Sequence, residues 1–131
     1  MSTIVDIPCF GENDGKLCAF EADLIPGFSV ERIFYIYDVP ESAVRANHAC
    51  MNADILLVAV NGSVTVSVEY DGISERFILK TKDKGLFINK SSWIKTSNFS
   101  EDAVLMCFSN KEYRSCEYIN DYDEYKERVG K

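Results

Sequence analysis

The dipeptide Asn61-Gly62 constrains the fold most, because it directly joins two long strand patterns. The segment "ADILLVAV" before it is almost entirely apolar, and "SVTVSVEY" after it alternates valine with polar residues. Strict alternation is typical of a strand with one buried and one solvated face. A type I′ turn needs two residues at positive φ, which Asn-Gly adopts readily. The sequence therefore predicts an antiparallel β-hairpin here, with a second tight turn at Asp71-Gly72.

Further strand patterns occur on both sides of this predicted hairpin. They are "KLCAFEADL", "SVERIFYIYDV", "ISERFILKT" and "AVLMCFSN". Short strands separated by turns predict an all-β sandwich or small barrel. In "SVERIFYIYDV" aromatic residues fall on both faces, which predicts a strand buried on both sides. A chain of 131 residues is long enough for one domain with its own core, and we expect a single domain over residues 1–131.

The C-terminal stretch has a different period. Tyr118, Ile119, Tyr122, Tyr125 and Val129 fall at roughly helical spacing. Glu124 and Arg128 form an oppositely charged i,i+4 pair, which supports a helix. The sequence therefore predicts a short C-terminal helical segment that begins near Tyr118.

The negative net charge of the chain argues against nucleic acid as a partner. Lys and Arg number 14 and Asp and Glu 21, for a net charge of -7. Non-specific nucleic-acid binding needs Lys and Arg to replace phosphate counterions, so nucleic acid is not an expected partner. No apolar run approaches the roughly 20 residues of a membrane span, and no targeting signal is visible, so we expect a cytoplasmic protein without a membrane partner.

The five cysteines have neither the spacing of a zinc site nor an even count. They are Cys9, Cys18, Cys50, Cys107 and Cys116, and no CxxC pair is present. In a reducing compartment we expect reduced thiols at all five positions. Several of them are expected to be small core residues, and Cys50 is the exception considered below.

The single histidine, His48, has three possible roles: a base, a metal ligand or a core residue. It lies in "RANHAC". A metal site needs several suitable ligands, and this chain has a single histidine with one cysteine nearby, so no metal is expected here. Two residues further on, Cys50 would share the same face of a strand with His48.

The segments "RIFYIYDVPESAVRANHACMNADILLVAVNGS", "KGLFINKSSWIKTSNFSEDAVLM" and "CEYINDYDEYK" resemble one family in order and almost without gaps. Across roughly residues 12 to 126 the chain resembles the dTDP-4-keto-6-deoxyhexose 3,4-ketoisomerases, small cupins also called WxcM-like. The resemblance implies an all-β double-stranded β-helix (jelly roll), a homodimer, no metal and no cofactor. It also implies a dTDP-linked sugar as small-molecule partner, in deoxysugar and lipopolysaccharide biosynthesis.

The chemistry implied by the resemblance is an isomerisation by proton shuttling. A 4-keto sugar becomes a 3-keto sugar through an enediol, so a base removes the C3 proton and C4 is protonated. Histidine suits this task because its pKa lies near neutrality. The resemblance implies His48, Tyr35 and Cys50 as catalytic residues, with His48 and Tyr35 lining one cavity. Residues implied to bind the substrate are Arg32, Arg45, Trp93 and Lys95.

Several positions depart from the family pattern. The pattern reads His-Ala-His where this chain has His48-Ala49-Cys50. Its glutamine falls at Ile55, its polar pair after the tryptophan falls at Ile94 and Lys95, and an early arginine falls at Asp14. Two hypotheses remain open: a sugar 3,4-ketoisomerase that uses His48 as base, or a catalytically impaired cupin that binds a sugar nucleotide or a partner protein.

Overall fold

The computed structural model describes residues 2–130. Twelve strands lie in that range, and every pairing between them is antiparallel. In chain order they are β1 (Ser2–Asp6), β2 (Cys9–Glu12), β3 (Gly15–Cys18), β4 (Arg32–Tyr37), β5 (Arg45–Cys50), β6 (Ile55–Asn61), β7 (Val64–Tyr70), β8 (Ile73–Leu79), β9 (Lys84–Ile88), β10 (Trp93–Ser97), β11 (Val104–Ser109) and β12 (Tyr118–Ile119). A 3₁₀ turn spans Tyr113–Ser115, and helix α1 spans Tyr122–Arg128.

Ten of the strands form two five-stranded sheets. The first has the order β1-β9-β6-β11-β4 and the second β12-β5-β10-β7-β8. Their inner faces share one core, in which Leu57 and Leu105 of the first sheet meet Val66 and Ile94 of the second. The expected all-β cupin jelly roll with a short C-terminal helix is confirmed.

The expected hairpin at Asn61-Gly62 is wrong, because the strands on either side of it belong to different sheets. The chain crosses between the sheets at this corner, with Gly62 at a φ of 66°. The loop at residues 100–103 fixes the corner: the side chain of Asn61 donates to the carbonyl of Asp102 at 2.9 Å. A Cβ on Gly62 would lie 2.3 Å from the hydroxyl of Ser100. The type I′ geometry instead occurs at Asp71-Gly72, where both residues have positive φ and β7 pairs with β8.

Strand β4 lies at the edge of the first sheet. Its side chains alternate between half-buried and exposed, and Ile33, Tyr35 and Tyr37 are on the exposed face. The expectation that this strand is buried on both sides is therefore wrong. The aromatic residues of its outer face contact solvent in the single chain.

The C-terminal helix begins later than the sequence predicts. Tyr118 and Ile119 form strand β12, which pairs with β5, and the helix starts at Tyr122. The side chain of Asp121 caps it by accepting from the backbone N–H of Asp123 at 3.0 Å, a common N-cap arrangement. The helix packs Tyr125 against Trp93 on the outer face of the second sheet.

The N-terminal segment forms a small hairpin and then packs on the outer face of the first sheet. Strands β2 and β3 pair only with each other, and Cys9 faces Cys18 across them with the Cα atoms 4.0 Å apart. The two form a disulfide, so the expectation of reduced thiols is wrong at these positions, because the antiparallel register brings them together. The predicted strand "KLCAFEADL" ends at Cys18, and after it Phe20 and Phe28 pack on the outer face of the first sheet.

Candidate active site between the two sheets

A cavity of about 390 Å³ opens between the inner faces of the two sheets. Its size lies in the range of small-molecule sites, and its walls are mainly apolar, with a few polar groups. The titratable groups that line it are Arg32, Arg45, His48, Cys50, Cys107, Tyr113, Cys116 and Tyr118. The cavity therefore combines one imidazole, two guanidinium groups, two phenols and three thiols.

His48 reaches the cavity from β5. It pairs with Ile94 of β10, and both residues line the cavity. Its Nδ1 is buried and has no hydrogen-bond partner within residues 2–130. Burial lowers the pKa of His48, and the nearby charge of Arg32 acts in the same direction. The imidazole is therefore neutral at pH 7, as a proton acceptor must be.

Arg32 and Tyr118 form a polar pair beside His48. Nη1 of Arg32 donates to the hydroxyl of Tyr118 at 3.0 Å. The ring of Tyr118 meets the His48 ring edge-on, with 4.8 Å between the centroids. Burial raises the pKa of Tyr118, while the Arg32 hydrogen bond opposes that rise. The phenol is therefore protonated at neutral pH, and its oxygen lies next to a fixed positive charge.

Two of the three cavity thiols, those of Cys50 and Cys107, are poor nucleophiles and poor bases. Burial raises the pKa of Cys50 to about 11, and the neighbouring Cys116 thiol adds to the rise. The Cys50 thiol donates to the side-chain oxygen of Asn52 at 3.4 Å. Burial also raises the pKa of Cys107 to about 12. Because only a thiolate accepts a proton readily, Cys50 and Cys107 act at pH 7 as neutral side chains.

The structure brings four of the seven predicted site residues together. Arg32, Arg45, His48 and Cys50 all line the cavity. The backbone carbonyl of Arg45 accepts a hydrogen bond from the Thr96 hydroxyl at 2.8 Å. This bond ties β5 to β10 at a register shift, where Ala46 has a φ of 52°.

Tyr35 does not line this cavity, so the expectation that it shares a cavity with His48 is wrong. Its side chain is 61% exposed and stacks on Tyr37 on the outer face of β4. Phe34 is the member of the aromatic pair that lines the cavity, and its neighbour Tyr35 lies on the opposite face of the strand. The inward position has no hydroxyl group in this chain.

Trp93 and Lys95 also lie outside the cavity, contrary to the substrate-binding role expected for them. They alternate on β10 with Ile94 and Thr96, which do line it. The Trp93 side chain is buried under helix α1 on the outer face, and Lys95 is exposed to solvent. Neither reaches a molecule in the cavity from these positions.

Four cavity residues near the C-terminus were not predicted from the sequence: Tyr113, Cys116, Tyr118 and Asn120. The last three lie two residues apart, which is a strand period. This two-residue spacing is ambiguous in the sequence, because Tyr118 also fits a helical pattern with Tyr122 and Tyr125. A period-2 search across "SCEYIN" would have found all three.

Two further findings concern metals and membranes. Within residues 2–130, no three His, Cys, Asp or Glu side chains are grouped as metal ligands would be. No helix in the described part of the chain is long and apolar enough to cross a membrane.

Comparison with known proteins places these features in context. The sequence model of the FdtA family, described as WxcM-like, C-terminal, matches residues 1–130. The chain is 30% identical over 120 residues to a TDP-4-oxo-6-deoxy-alpha-D-glucose-3,4-oxoisomerase from Aneurinibacillus thermoaerophilus, across 92% of this chain and 86% of that protein.

Two solved structures share the whole architecture. A 3,4-ketoisomerase from Helicobacter canadensis has a TM-score of 0.92 and 33% identity, over 99% of this chain and 98% of that one. The sugar 3,4-ketoisomerase QdtA from Thermoanaerobacterium thermosaccharolyticum, in complex with TDP, has a TM-score of 0.93 and 25% identity, over 98% and 94% of the two chains.

Proposed function

The chain belongs to the WxcM-like FdtA family, and from that premise we propose that it is a nucleotide-sugar 3,4-ketoisomerase. Its proposed substrate is a TDP-linked 4-keto-6-deoxyhexose, the compound class named for a relative 30% identical to it. The product is the corresponding 3-keto sugar, an intermediate for deoxysugar and surface-polysaccharide biosynthesis.

The observation that carries this proposal is the neutral imidazole of His48 in the same cavity as two arginines. His48 is the base that removes the C3 proton of the 4-keto sugar. Proton removal places negative charge on the C4 oxygen of the resulting enediolate. A guanidinium group in a cavity between the sheets stabilises such charge more than it would in bulk water, because the surrounding protein lowers the local dielectric.

The two arginines are assigned to the substrate. Arg32 donates to the hydroxyl of Tyr118, whose ring contacts His48, and its charge acts on His48, so it is suited to the charge that develops at the reacting carbons. Arg45 is more exposed and suits the diphosphate, which must extend from the sugar toward solvent. Tyr35, Trp93 and Lys95 receive no catalytic or binding role within the single chain, since none lines the cavity.

Hydrogen exchange at the sugar tests the proposal directly. The protein is incubated with TDP-4-keto-6-deoxyglucose in deuterated water, and NMR follows deuterium at C3 and C4. We expect incorporation with the wild type and none with His48→Asn, which keeps a polar side chain of similar size but no basic nitrogen. Thymidine diphosphate binding, measured by calorimetry, should survive in the variant. Exchange that persists in His48→Asn removes His48 from the base role.

A second candidate function is a cupin that binds a sugar nucleotide without isomerising it. The observation that favours it is Cys50, which stands at the second motif histidine and is a neutral thiol with a pKa raised to about 11. This reading predicts nucleotide binding without deuterium exchange in the wild type. The exchange experiment therefore separates the two functions in one sample.

We further propose that two copies of the chain form a homodimer through β4. This strand is the edge of the first sheet and presents exposed Ile33, Tyr35 and Tyr37. An apolar edge strand is a surface that proteins usually cover. Light scattering should give twice the mass of 14.8 kDa, and Tyr35→Arg should shift it toward the monomer. The exposed Ile78→Arg variant, on β8 of the other sheet, is the control that should stay dimeric.

We also propose a cytoplasmic location. Three cysteines are free, as in a reducing compartment, while the Cys9–Cys18 disulfide is the observation that stands against it. Fractionation of the native host, followed by immunodetection, tests the location.

A further inference from the structure

Tyr118 occupies the place where a second proton carrier is needed. Strand β12 pairs with β5 so that Tyr118 lies directly across from Cys50. Cys50 is the position at which the motif of the family has its second histidine. The Tyr118 ring contacts His48 with the centroids 4.8 Å apart, and its hydroxyl accepts a hydrogen bond from Arg32 at 3.0 Å. An ionisable hydroxyl thus stands beside the base and next to the changed position.

No aromatic residue of β4 supplies this hydroxyl. Phe34 faces the cavity and has none, and Tyr35 points to the outer face. The other tyrosine of the cavity wall is Tyr113, whose side chain is 68% exposed and packs on the outside of Tyr118 at 5.8 Å. Tyr118 is thus the tyrosine, among the described residues, that contacts both His48 and Arg32.

The isomerisation moves two protons, and one histidine accounts for only one of them. C3 loses a proton and C4 gains one, while the C3 oxygen loses a proton and the C4 oxygen gains one. A single imidazole can serve the two neighbouring carbons, because it takes a proton from C3, can exchange it with solvent, and then protonates C4. The two oxygens need a separate group that gives a proton and takes another.

We propose that Tyr118 is this group, a catalytic residue that donates its phenolic proton to the C4 oxygen and regains one from the C3 oxygen. The inference rests on the proposed function. In the first half, His48 takes the C3 proton, the C3–C4 enediol forms, and Tyr118 becomes a phenolate. In the second half, the phenolate takes the C3 hydroxyl proton, the C3 carbonyl forms, and the imidazolium protonates C4. Protons and electrons balance, and both residues return to their starting states.

Arg32 lowers the free energy of the transient Tyr118 phenolate. Its Nη1–H···O bond to the Tyr118 hydroxyl is shorter and stronger when that oxygen is negative. The same guanidinium contacts Cys116 only at 3.9 Å, so the phenol is its close polar partner here. Burial raises the pKa of Tyr118, which makes loss of its phenolic proton harder. The hydrogen bond from Arg32 acts in the opposite direction and lowers that pKa.

A pair of tyrosine-to-phenylalanine variants tests the proposal. Tyr118→Phe removes only the hydroxyl and keeps the ring against His48. Tyr70→Phe removes a hydroxyl outside the cavity, at the exposed end of β7, and is the control. General acid–base groups contribute about 10²- to 10⁴-fold, so we expect kcat of Tyr118→Phe to fall by at least about 100-fold with KM changed less than about threefold. Tyr70→Phe should stay within about threefold of the wild type.

A second measurement separates proton transfer from packing. Replacing Tyr118 by 3-fluorotyrosine keeps the hydroxyl but lowers its pKa, so the alkaline limb of kcat should move to lower pH. The proposal is overturned if Tyr118→Phe keeps wild-type kcat, or if the fluorinated variant leaves the alkaline limb in place. In both cases the wild type still isomerises the sugar, and the proposed function stands. A wild type that binds TDP but exchanges no proton overturns both.

Discussion

The indole N–H of Trp93 donates a hydrogen bond to the side-chain oxygen of Asn47, with 3.0 Å between the nitrogen and the oxygen. This bond joins β10 to β5 on the outer face of the second sheet, directly behind the inner face that holds His48. Trp93 is 8% exposed and packs under Tyr125 of helix α1. Trp93 thus supports the wall of the cavity and does not line it.

Trp93→Phe should therefore reduce stability and leave substrate affinity unchanged. The variant loses the bond to Asn47 and part of a buried ring, which together cost about 1–3 kcal/mol of the free energy of unfolding. Urea denaturation measures that loss, and steady-state kinetics measure KM, which should stay within about twofold. A KM raised tenfold or more would mean that the indole does contact the substrate.

The pH dependence of activity should reflect the lowered pKa of His48. The base must be neutral, and burial lowers its pKa below the ordinary value of 6.5. The acidic limb of the activity should therefore have its midpoint below pH 6.5. The variable to measure is log(kcat/KM) against pH. An acidic limb at or above pH 6.5 contradicts the assignment.

The same shift has a consequence for stability. The folded state holds His48 neutral, while the unfolded chain binds a proton near pH 6.5. Stability from this group is therefore complete above pH 6.5 and is lost as the pH falls from 6.5 toward the folded pKa. His48→Asn should remove this part of the pH dependence, which denaturation at several pH values would detect.

Cys50→Ser should retain most of the activity. At neutral pH the Cys50 thiol is protonated, since its pKa is raised to about 11, and it donates to Asn52. A serine hydroxyl is also a neutral donor and can make the same bond. We expect kcat within about threefold of the wild type. A loss of 100-fold or more would show that the thiol itself moves a proton.

Much of this fold follows from residue patterns, but the partners of its strands do not. The three valines of β7 are buried as its alternation predicts, although Thr65 between them is buried as well. The dipeptide Asn61-Gly62 predicts a turn at the right place, yet the pairing of the strands around it is decided by distant contacts with Ser100 and Asp102. Asp71-Gly72 has the same local chemistry and does form a hairpin.

The site was predictable to the extent that a motif fixes the inward face of a strand. His48 and Arg45 lie on β5 and both line the cavity, although three residues would separate them onto opposite faces of a regular strand; the register shift next to Ala46 lies between them. On β4 the pattern has aromatic residues on both faces, so alternation alone cannot tell whether Phe34 or Tyr35 faces the cavity. Tyr118 depends on the pairing of β12 with β5, a contact across 68 residues that no local pattern encodes.

The β2–β3 hairpin should depend on its disulfide more than the rest of the fold does. Its two strands pair only with each other, and the side chains of Phe10 and Leu17 are exposed. An isolated two-stranded hairpin is marginal in water, so the Cys9–Cys18 bond must supply much of its local stability. Reduction should release the hairpin while the two large sheets remain folded.

Hydrogen exchange with mass spectrometry, with and without reductant, measures this release. Backbone amides of residues 9–18 should lose protection on reduction, while those of β6 and β11 keep theirs. In the double variant Cys9→Ser/Cys18→Ser, the amides of residues 9–18 should be unprotected even without reductant, and reductant should cause no further loss of protection. Titration of free thiols in denaturant should give three before reduction and five after it, the difference being the one disulfide. An equal loss of protection in β6 would contradict this prediction, since the hairpin and the core would then unfold as one unit. The Cys9–Cys18 disulfide would in that case stabilise the whole fold by reducing the entropy of the unfolded chain.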